Sequence, residues 1–239
     1  MRTKRTLLIS LVISITMLTA SGGVYAFHRA QQQIDTLAKL EQACHHNKDA
    51  DGYGNVTLGG SSFVNQTGTI TVACKIHLRP GSTLQFRHTR LRTKNFVIYD
   101  APTEAKDTKS TKAPRPNHVI VSHASFVGKD ALFQINLGNA ASSALVEDSS
   151  ISYPQSVVVG VGQGDADNKA TLTIARNTMQ STDNNGQGII LVSTGKASFI
   201  DNTFVVSDPP GNALLLGESC EFRNNTNAND RCHGDQEVL

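Results

Sequence analysis

The sequence has no tryptophan and only four tyrosines among its 239 residues. Sugar-cleaving sites commonly stack pyranose rings on aromatic faces, so this scarcity weighs against an enzyme acting on polysaccharide. The four cysteines, Cys44, Cys74, Cys220 and Cys232, contain no Cys-x-x-Cys pair, which argues against a zinc ribbon or a thioredoxin-like site. The net charge is only +2, and nothing in so balanced a field points to nucleic acid or to an acidic partner. His45 and His46 are adjacent but lack a third ligand nearby, a poor basis for a metal centre. From His118 to Asn227, no run has the length and period of an amphipathic helix.

What this stretch does contain is one short phrase that keeps returning. A strand-like run ends in a small polar pair, and one apolar residue follows: His123-Ala124-Ser125-Phe126, Asp148-Ser149-Ser150-Ile151, Arg176-Asn177-Thr178-Met179, Asp201-Asn202-Thr203-Phe204 and Arg223-Asn224-Asn225-Thr226. Successive phrases lie about 22–28 residues apart, a spacing that marks a stacked-repeat architecture. Between them sit short apolar runs bounded by Gly, Asn, Asp, Pro or Ser, such as Val119-Ile120-Val121, 132–137, 157–161, 189–192 and 214–216, which read as strands. Strands without intervening helices at this period predict a parallel β-helix, in which each turn buries its inward side chains by stacking on its neighbours. A β-sandwich has similar strand spacing, but here composition and order repeat together. Asn177, Asn202 and Asn224 occupy the corner, where a short amide tolerates left-handed geometry and bonds to the backbone or to the next turn. Ser149 and Ala124 hold that place in the earlier turns, so the expected ladder is incomplete.

These strand–Asn corner–strand phrases resemble those of the right-handed parallel β-helix superfamily typified by pectate lyases, over roughly residues 66 to 228. The resemblance implies an all-β fold, a right-handed single-stranded parallel β-helix of about six turns. It does not fix a function.

The chain divides accordingly. Residues 1–26 are a targeting segment: Arg2, Lys4 and Arg5 form a basic region, 7–20 an apolar one, and Val24-Tyr25-Ala26 offers a cleavage site before Phe27. The rival reading is an uncleaved anchor over 6–27, long enough to span a bilayer. Both place the remainder outside the cytoplasm, periplasmic or secreted. Over 27–65 come a helix (28–44, apolar at Ile34, Leu37, Ala38 and Leu40), expected to cap the first turn, and an Asp/Gly-rich loop. The coil occupies 66–228, with early strands over 69–76, 83–91 and 95–99, and 229–239 is a polar tail. In an exported chain an even number of cysteines suggests disulfides. The local pairs Cys44–Cys74 and Cys220–Cys232 would fasten the two ends of the stack.

Candidate sites are few. Asn47, Asp49, Asp51, Tyr53 and Asn55 have the ligand spacing of the first nine positions of an EF-hand loop, which makes calcium the one cofactor suggested. Leu58 stands where a bidentate Glu belongs, however, so the ligand set is incomplete. Two loops are expected to leave the same corner of the coil: 101–117, with four lysines or arginines among three prolines, and the acidic 162–168. A β-helix lyase needs a basic residue to abstract a proton beside a uronate, and a glycosidase needs paired carboxylates. The nominees are Asp100, Asp165, Asp167 and Asp183, with Lys129, Lys169 or Arg176 as bases. None forms a motif of polygalacturonases or of lyases, and the outward residues of the central strands, Gln134, Asn136, Ser156 and Gly160, are neutral. The sequence thus leads to an exported, non-catalytic structural or binding module of the cell envelope, with a polysaccharide or an envelope protein as ligand and no nucleic acid. The alternative is a small lyase, hydrolase or epimerase acting on an acidic polysaccharide.

Overall fold

The structure, a computed structural model, describes residues 34–46, 48–101, 115–129, 132–139, 141–162, 169–182, 188–207, 210–211 and 213–232. The targeting segment and the candidates Asn47, Asp165, Asp167 and Asp183 lie outside the described residues.

Among the described residues one helix, α1 (Leu37–His46), precedes the strands. The strands then come in threes: β1 (Gly54–Leu58), β2 (Ser61–Val64), β3 (Thr67–Thr69); β4 (Cys74–Leu78), β5 (Thr83–Arg87), β6 (Arg90–Thr93); β7 (Phe96–Asp100), β8 (His118–Ser122), β9 (Ser125–Gly128); β10 (Leu132–Leu137), β11 (Ser143–Glu147), β12 (Ser150–Tyr153); β13 (Ser156–Val161), β14 (Thr171–Ala175), β15 (Thr178–Ser181). After these come β16 (Gly188–Ile200), β17 (Thr203–Ser207), β18 (Pro210–Gly211), β19 (Ala213–Arg223) and β20 (Ala228–Cys232). Each strand pairs in parallel with the strand one triplet away, as Phe133 does with Phe96 and Val157, so the strands stack into columns. Among named strands, β17 with β18 is the antiparallel exception. The fold is all-β, a nearly closed solenoid of parallel strands.

The columns define three faces. The first holds β1, β4, β7, β10 and β13; the second β2, β5, β8, β11 and β14; the third β3, β6, β9, β12, β15 and β17. The first two belong to one 13-stranded sheet because β16 runs through both, pairing by 188–193 with β13 and by 196–200 with β14. The sequence pattern showed only the apolar part of β16, 189–192. At the corner within β16, Gly195 lies against the Ala170 carbonyl, where no Cβ would fit.

Two-residue alternation explains the core. Along β10 and β11 every second residue is buried, which sends Phe133, Ile135 and Leu137 inward and Gln134 and Asn136 outward. The expected inner column exists. Leu91, Phe126, Ile151, Met179 and Phe204 are in register on the third face, each at most 1% exposed.

Several boundaries differ from the sequence pattern. The strand expected over 69–76 is two strands, β3 and β4, and that expected over 83–91 is broken at His88. His88 has φ of 48° and turns the chain from β5 into β6. The stack takes in Gly54–Val64, upstream of residue 66, and its last strand reaches Cys232. Helix α1 begins at Leu37, and residues 34–36 are not helical; 28–33, the rest of the expected helix, lie outside the described residues. Leu37, Leu40, Ala43 and Cys44 face the core while Ala38 is exposed.

The corner between the second and third faces carries the repeated phrase. His88, His123, Asp148, Arg176, Asp201 and Asn224 all have positive φ. The next residue points inward and joins a ladder. The Asn225 Oδ1 accepts from the Asn202 amide N–H (3.1 Å), the Asn202 Oδ1 from that of Asn177 (3.0 Å), the Asn177 Oδ1 from that of Ser149 (3.0 Å) and the Ser149 Oγ from that of Ala124 (3.0 Å). Asn224 is not the third rung: Ile200 pairs with Arg223, so Asn225 aligns with Asn202 and Asn224 with Asp201. A further phrase, His88-Thr89-Arg90-Leu91, escaped the sequence comparison because Arg90 stands where the other phrases have a small polar residue, and Thr89 takes the corner place. Its hydroxyl donates to the Val64 carbonyl at 2.9 Å.

Cys44 and Cys74 form the expected disulfide and tie α1 to β4. Gly54 packs against the Cys44 carbonyl, too close for any Cβ. Cys220 is also disulfide-bonded. The side chain of Cys232, its expected partner, is outside the described residues. The disulfides accord with an oxidising compartment. No helix among the described residues is long and apolar enough to cross a membrane.

Candidate functional site

The outward positions of the first face form two registered columns. One runs Asn55, Lys75, Val97, Gln134, Val158, Ile190, Leu214; the other Thr57, His77, Tyr99, Asn136, Gly160, Val192, Leu216. Chemistry therefore changes along the face. Toward β1 the columns present amide, amine, imidazole and phenol groups; toward β19 they present half-buried aliphatic side chains beside a shallow groove that includes Val192, Leu216, Glu218 and Arg231.

The polar end is a connected network. The Lys75 Nζ donates to the Asp49 Oδ2 at 2.8 Å and lies 4.2 Å from the centre of the Tyr53 ring. The hydrogen bond with Lys75 holds the Asp49 carboxyl down at about 2, and the same bond raises the Lys75 ammonium. The Asn95 Nδ2 donates to the Tyr53 hydroxyl at 2.6 Å. One turn on, His77 Nε2 meets Asn55 Oδ1 at 3.1 Å. Because an amide oxygen only accepts, Nε2 carries the proton and Nδ1 is left with its lone pair. That Nδ1 is buried without a hydrogen-bond partner among the described residues. Burial, then the nearby Lys75 charge, pushes the His77 pKa below its ordinary value. The Tyr99 hydroxyl donates to Gln134 Oε1 at 3.2 Å, and burial pushes its pKa up. Asn136, next to Tyr99 in register, is half-buried.

A histidine held neutral in the folded state has a stability signature. The unfolded chain takes up a proton near pH 6.5, whereas folded His77 does so only at lower pH. Its contribution is complete above about 6.5 and is lost as pH falls toward the folded value. Thermal melts of the wild type should therefore show stability declining from pH 7 to pH 5, and His77→Gln should flatten that slope. An unchanged slope in the variant would exclude His77 as the source.

The residues nominated from sequence are not gathered here. Asp100 ends β7, where its Oδ1 accepts from Asn117 Nδ2 (2.7 Å) and its Oδ2 from the Asn139 backbone N–H (3.0 Å). It braces the end of β7 against the segments at Asn117 and Asn139. Strand β13 ends on the same side of the first face as β7, since Asn136 aligns with both Tyr99 and Gly160; of the two loops expected there, 102–114 and 163–168 lie outside the described residues. Lys129 is exposed beyond β9, Lys169 is exposed before β14, and Arg176 is clamped to Asp148 through Nε (2.7 Å) and Nη2 (2.8 Å). That pair lowers the Asp148 carboxyl. In the calcium-like loop, Asp49 Oδ1 accepts from the backbone of Asp51 (3.1 Å) and of Tyr53 (2.8 Å), while Asn55 turns to His77. Asp51 is exposed. His45 and His46 are exposed at the end of α1.

Lys75, His77 and Tyr99 were not picked out from sequence. Their signal was strand alternation itself: Lys75-Ile76-His77 and Val97-Ile98-Tyr99 put their outward residues on one face once the register is known. Compared with protein-family models, with characterised proteins and with solved structures, the chain matches none.

Proposed function

We propose that this is an exported, right-handed single-stranded parallel β-helix of the pectate-lyase type, acting as a non-catalytic binding module of the cell envelope with a glycan as ligand. The strand triplets from β1–β3 to β16–β17 support about six turns. The buried stripe of α1, in one cluster with Val56, Leu58 and Ile76, supports its role as the cap of the first turn. The disulfide, and a basic-then-apolar N-terminus, support export.

One observation carries the functional reading. The polar end of the first face offers hydrogen-bonding amide, imidazole and phenol groups in register. Of the two carboxylates beside Lys75, Asp49 is spent on Lys75 and two backbone amides, which leaves Asp51, exposed on its loop, without a second free carboxylate to work with among the described residues there. Glycoside cleavage needs two carboxyl groups about 5–9 Å apart across a bond, each free to act. Recognition of a polyhydroxylated ligand needs only donors and acceptors fixed in place. Tyr99 and Gln134, at the middle of the face, are expected to contact that ligand. The test is a binding screen of the purified protein on envelope polysaccharides, repeated with Tyr99→Ala/Gln134→Ala. The expected result is binding without product, weakened about tenfold or more in the double variant. Release of reducing ends or of unsaturated sugar would make the protein an enzyme instead, and unchanged binding by the variant would move the site off this face.

A further inference from the structure

A second feature stands on different residues and a different face. Arg87-His88-Thr89-Arg90-Leu91-Arg92-Thr93-Lys94 crosses the corner from β5 into β6. Alternation sends Leu91 and Thr93 inward and leaves Arg87, His88, Arg90, Arg92 and Lys94 exposed. In the next turn, Thr93 pairs with Gly128, so exposed Lys129 follows beside Lys94, and the His88 and His123 rings lie 5.1 Å apart. Five full charges, those of Arg87, Arg90, Arg92, Lys94 and Lys129, thus share one stripe, and none forms an ion pair with a described residue. Two exposed arginines on later turns are paired, Arg176 with Asp148 and Arg223 with Asp201, whereas the stripe gathers three unpaired arginines and two lysines in one place. Like charges on one sheet face cost stability, because neighbouring strands are only about 4.8 Å apart and side chains two residues along a strand about 7 Å apart. An anion lying on the stripe would remove that cost.

We infer that this stripe binds an acidic polysaccharide, a glycan chain bearing carboxylate or sulfate groups. Guanidinium groups match such anions with paired hydrogen bonds. The third face around Arg90 supplies the neutral half of the recognition: Thr67, Ser125, Ser150, Thr178, Thr203 and Thr226 continue its register as a row of outward hydroxyls. Geometry favours a chain over a membrane surface. Arg87 projects from the second face and Arg90 and Arg92 from the third, with the left-handed turn at His88 between them. A flexible polymer can follow that corner, whereas a flat bilayer meets one side of it. Nucleic acid is disfavoured because single strands are held by stacked rings, and the one large exposed aromatic side chain among the described residues, Phe63, is on β2.

The experiment is affinity electrophoresis or calorimetry of the full chain with polygalacturonate, across a series of salt concentrations. We expect saturable binding that weakens as salt rises, and a loss of about tenfold or more in Arg90→Gln/Arg92→Gln. Lys169→Gln/Lys196→Gln removes the same charge elsewhere and should keep near-wild-type affinity. An equal loss in that control would reduce the effect to net charge and overturn the assignment. So would equal or tighter binding to phosphatidylglycerol vesicles, to single-stranded DNA or to neutral dextran, or no binding to polygalacturonate at all. The first-face reading stands or falls separately, since Tyr99→Ala/Gln134→Ala leaves the stripe intact.

Discussion

Replacing Phe126 by Ala is expected to cost the folded state about 3–5 kcal/mol, the range for deleting a large aromatic side chain from a packed core. Phe126 is fully buried on β9, and its ring centroid lies 5.4 Å from that of Phe86, 5.5 Å from Phe96 and 5.4 Å from Phe133. These rings come from three faces and from neighbouring turns, so the cavity cannot close by moving one side chain. A stacked fold adds a second penalty, because each turn is stable only through its neighbours and a void between two of them weakens both. Phe63→Ala provides the contrast: Phe63 is 45% exposed on β2 and should change stability by no more than about 0.5 kcal/mol. Urea unfolding of both variants reads the difference directly. A Phe126→Ala cost below about 1 kcal/mol would mean that the rings do not share one interior.

The coil was legible in the sequence because two independent demands act on the same residues. Corner geometry requires positive φ, and inward alternation requires a polar residue followed two places later by an apolar one. Asp148-Ser149-Ser150-Ile151 satisfies both, as does Asp201-Asn202-Thr203-Phe204. Where one demand relaxed, reading from sequence slipped. At Thr89-Arg90 a long charged side chain replaces the second small polar residue, so the phrase at His88 went unseen. At Arg223-Asn224-Asn225 two adjacent amides left the alignment ambiguous by one residue, and only strand register resolved it. The first-face site was harder still. Asn55, Lys75, His77, Tyr99 and Gln134 each sit in a different strand or at a different outward place, with no local spacing in common. They meet because β1, β4, β7 and β10 stack, and that adjacency is a property of register rather than of any motif. Asp100 shows the opposite error: a carboxylate at a strand end looks chemically free in sequence, yet the backbone at Asn139 and the side chain of Asn117 claim both its oxygens.

Asn202→Ala tests the ladder itself and is expected to cost about 3–5 kcal/mol. The Asn202 side chain, 1% exposed, donates to the Ile174 carbonyl at 2.8 Å and to Asn225 Oδ1 at 2.9 Å, and its Oδ1 accepts from the Asn177 backbone N–H at 3.0 Å and Asn177 Nδ2 at 3.1 Å. Truncation leaves a buried carbonyl, a buried N–H and two amide groups short of a partner. Each such orphan costs about 1–3 kcal/mol, less where water or a relaxed neighbour takes the vacant place. For a chain of this size the loss corresponds to a melting temperature lower by roughly 10 °C. Asn202→Ser should recover part of it, because a hydroxyl at the equivalent position, Ser149 Oγ, serves the Ala124 N–H at 3.0 Å. Asn224→Ala separates the two alignments of the last phrase. Asn224 is exposed, with φ of 52° and a bond to Asp201 Oδ1, so alanine there loses only a surface contact and about 1 kcal/mol of left-handed tolerance. If Asn224→Ala melts as low as Asn202→Ala, the rungs are not Asn177, Asn202 and Asn225, and the stacking register across β16 and β19 is wrong.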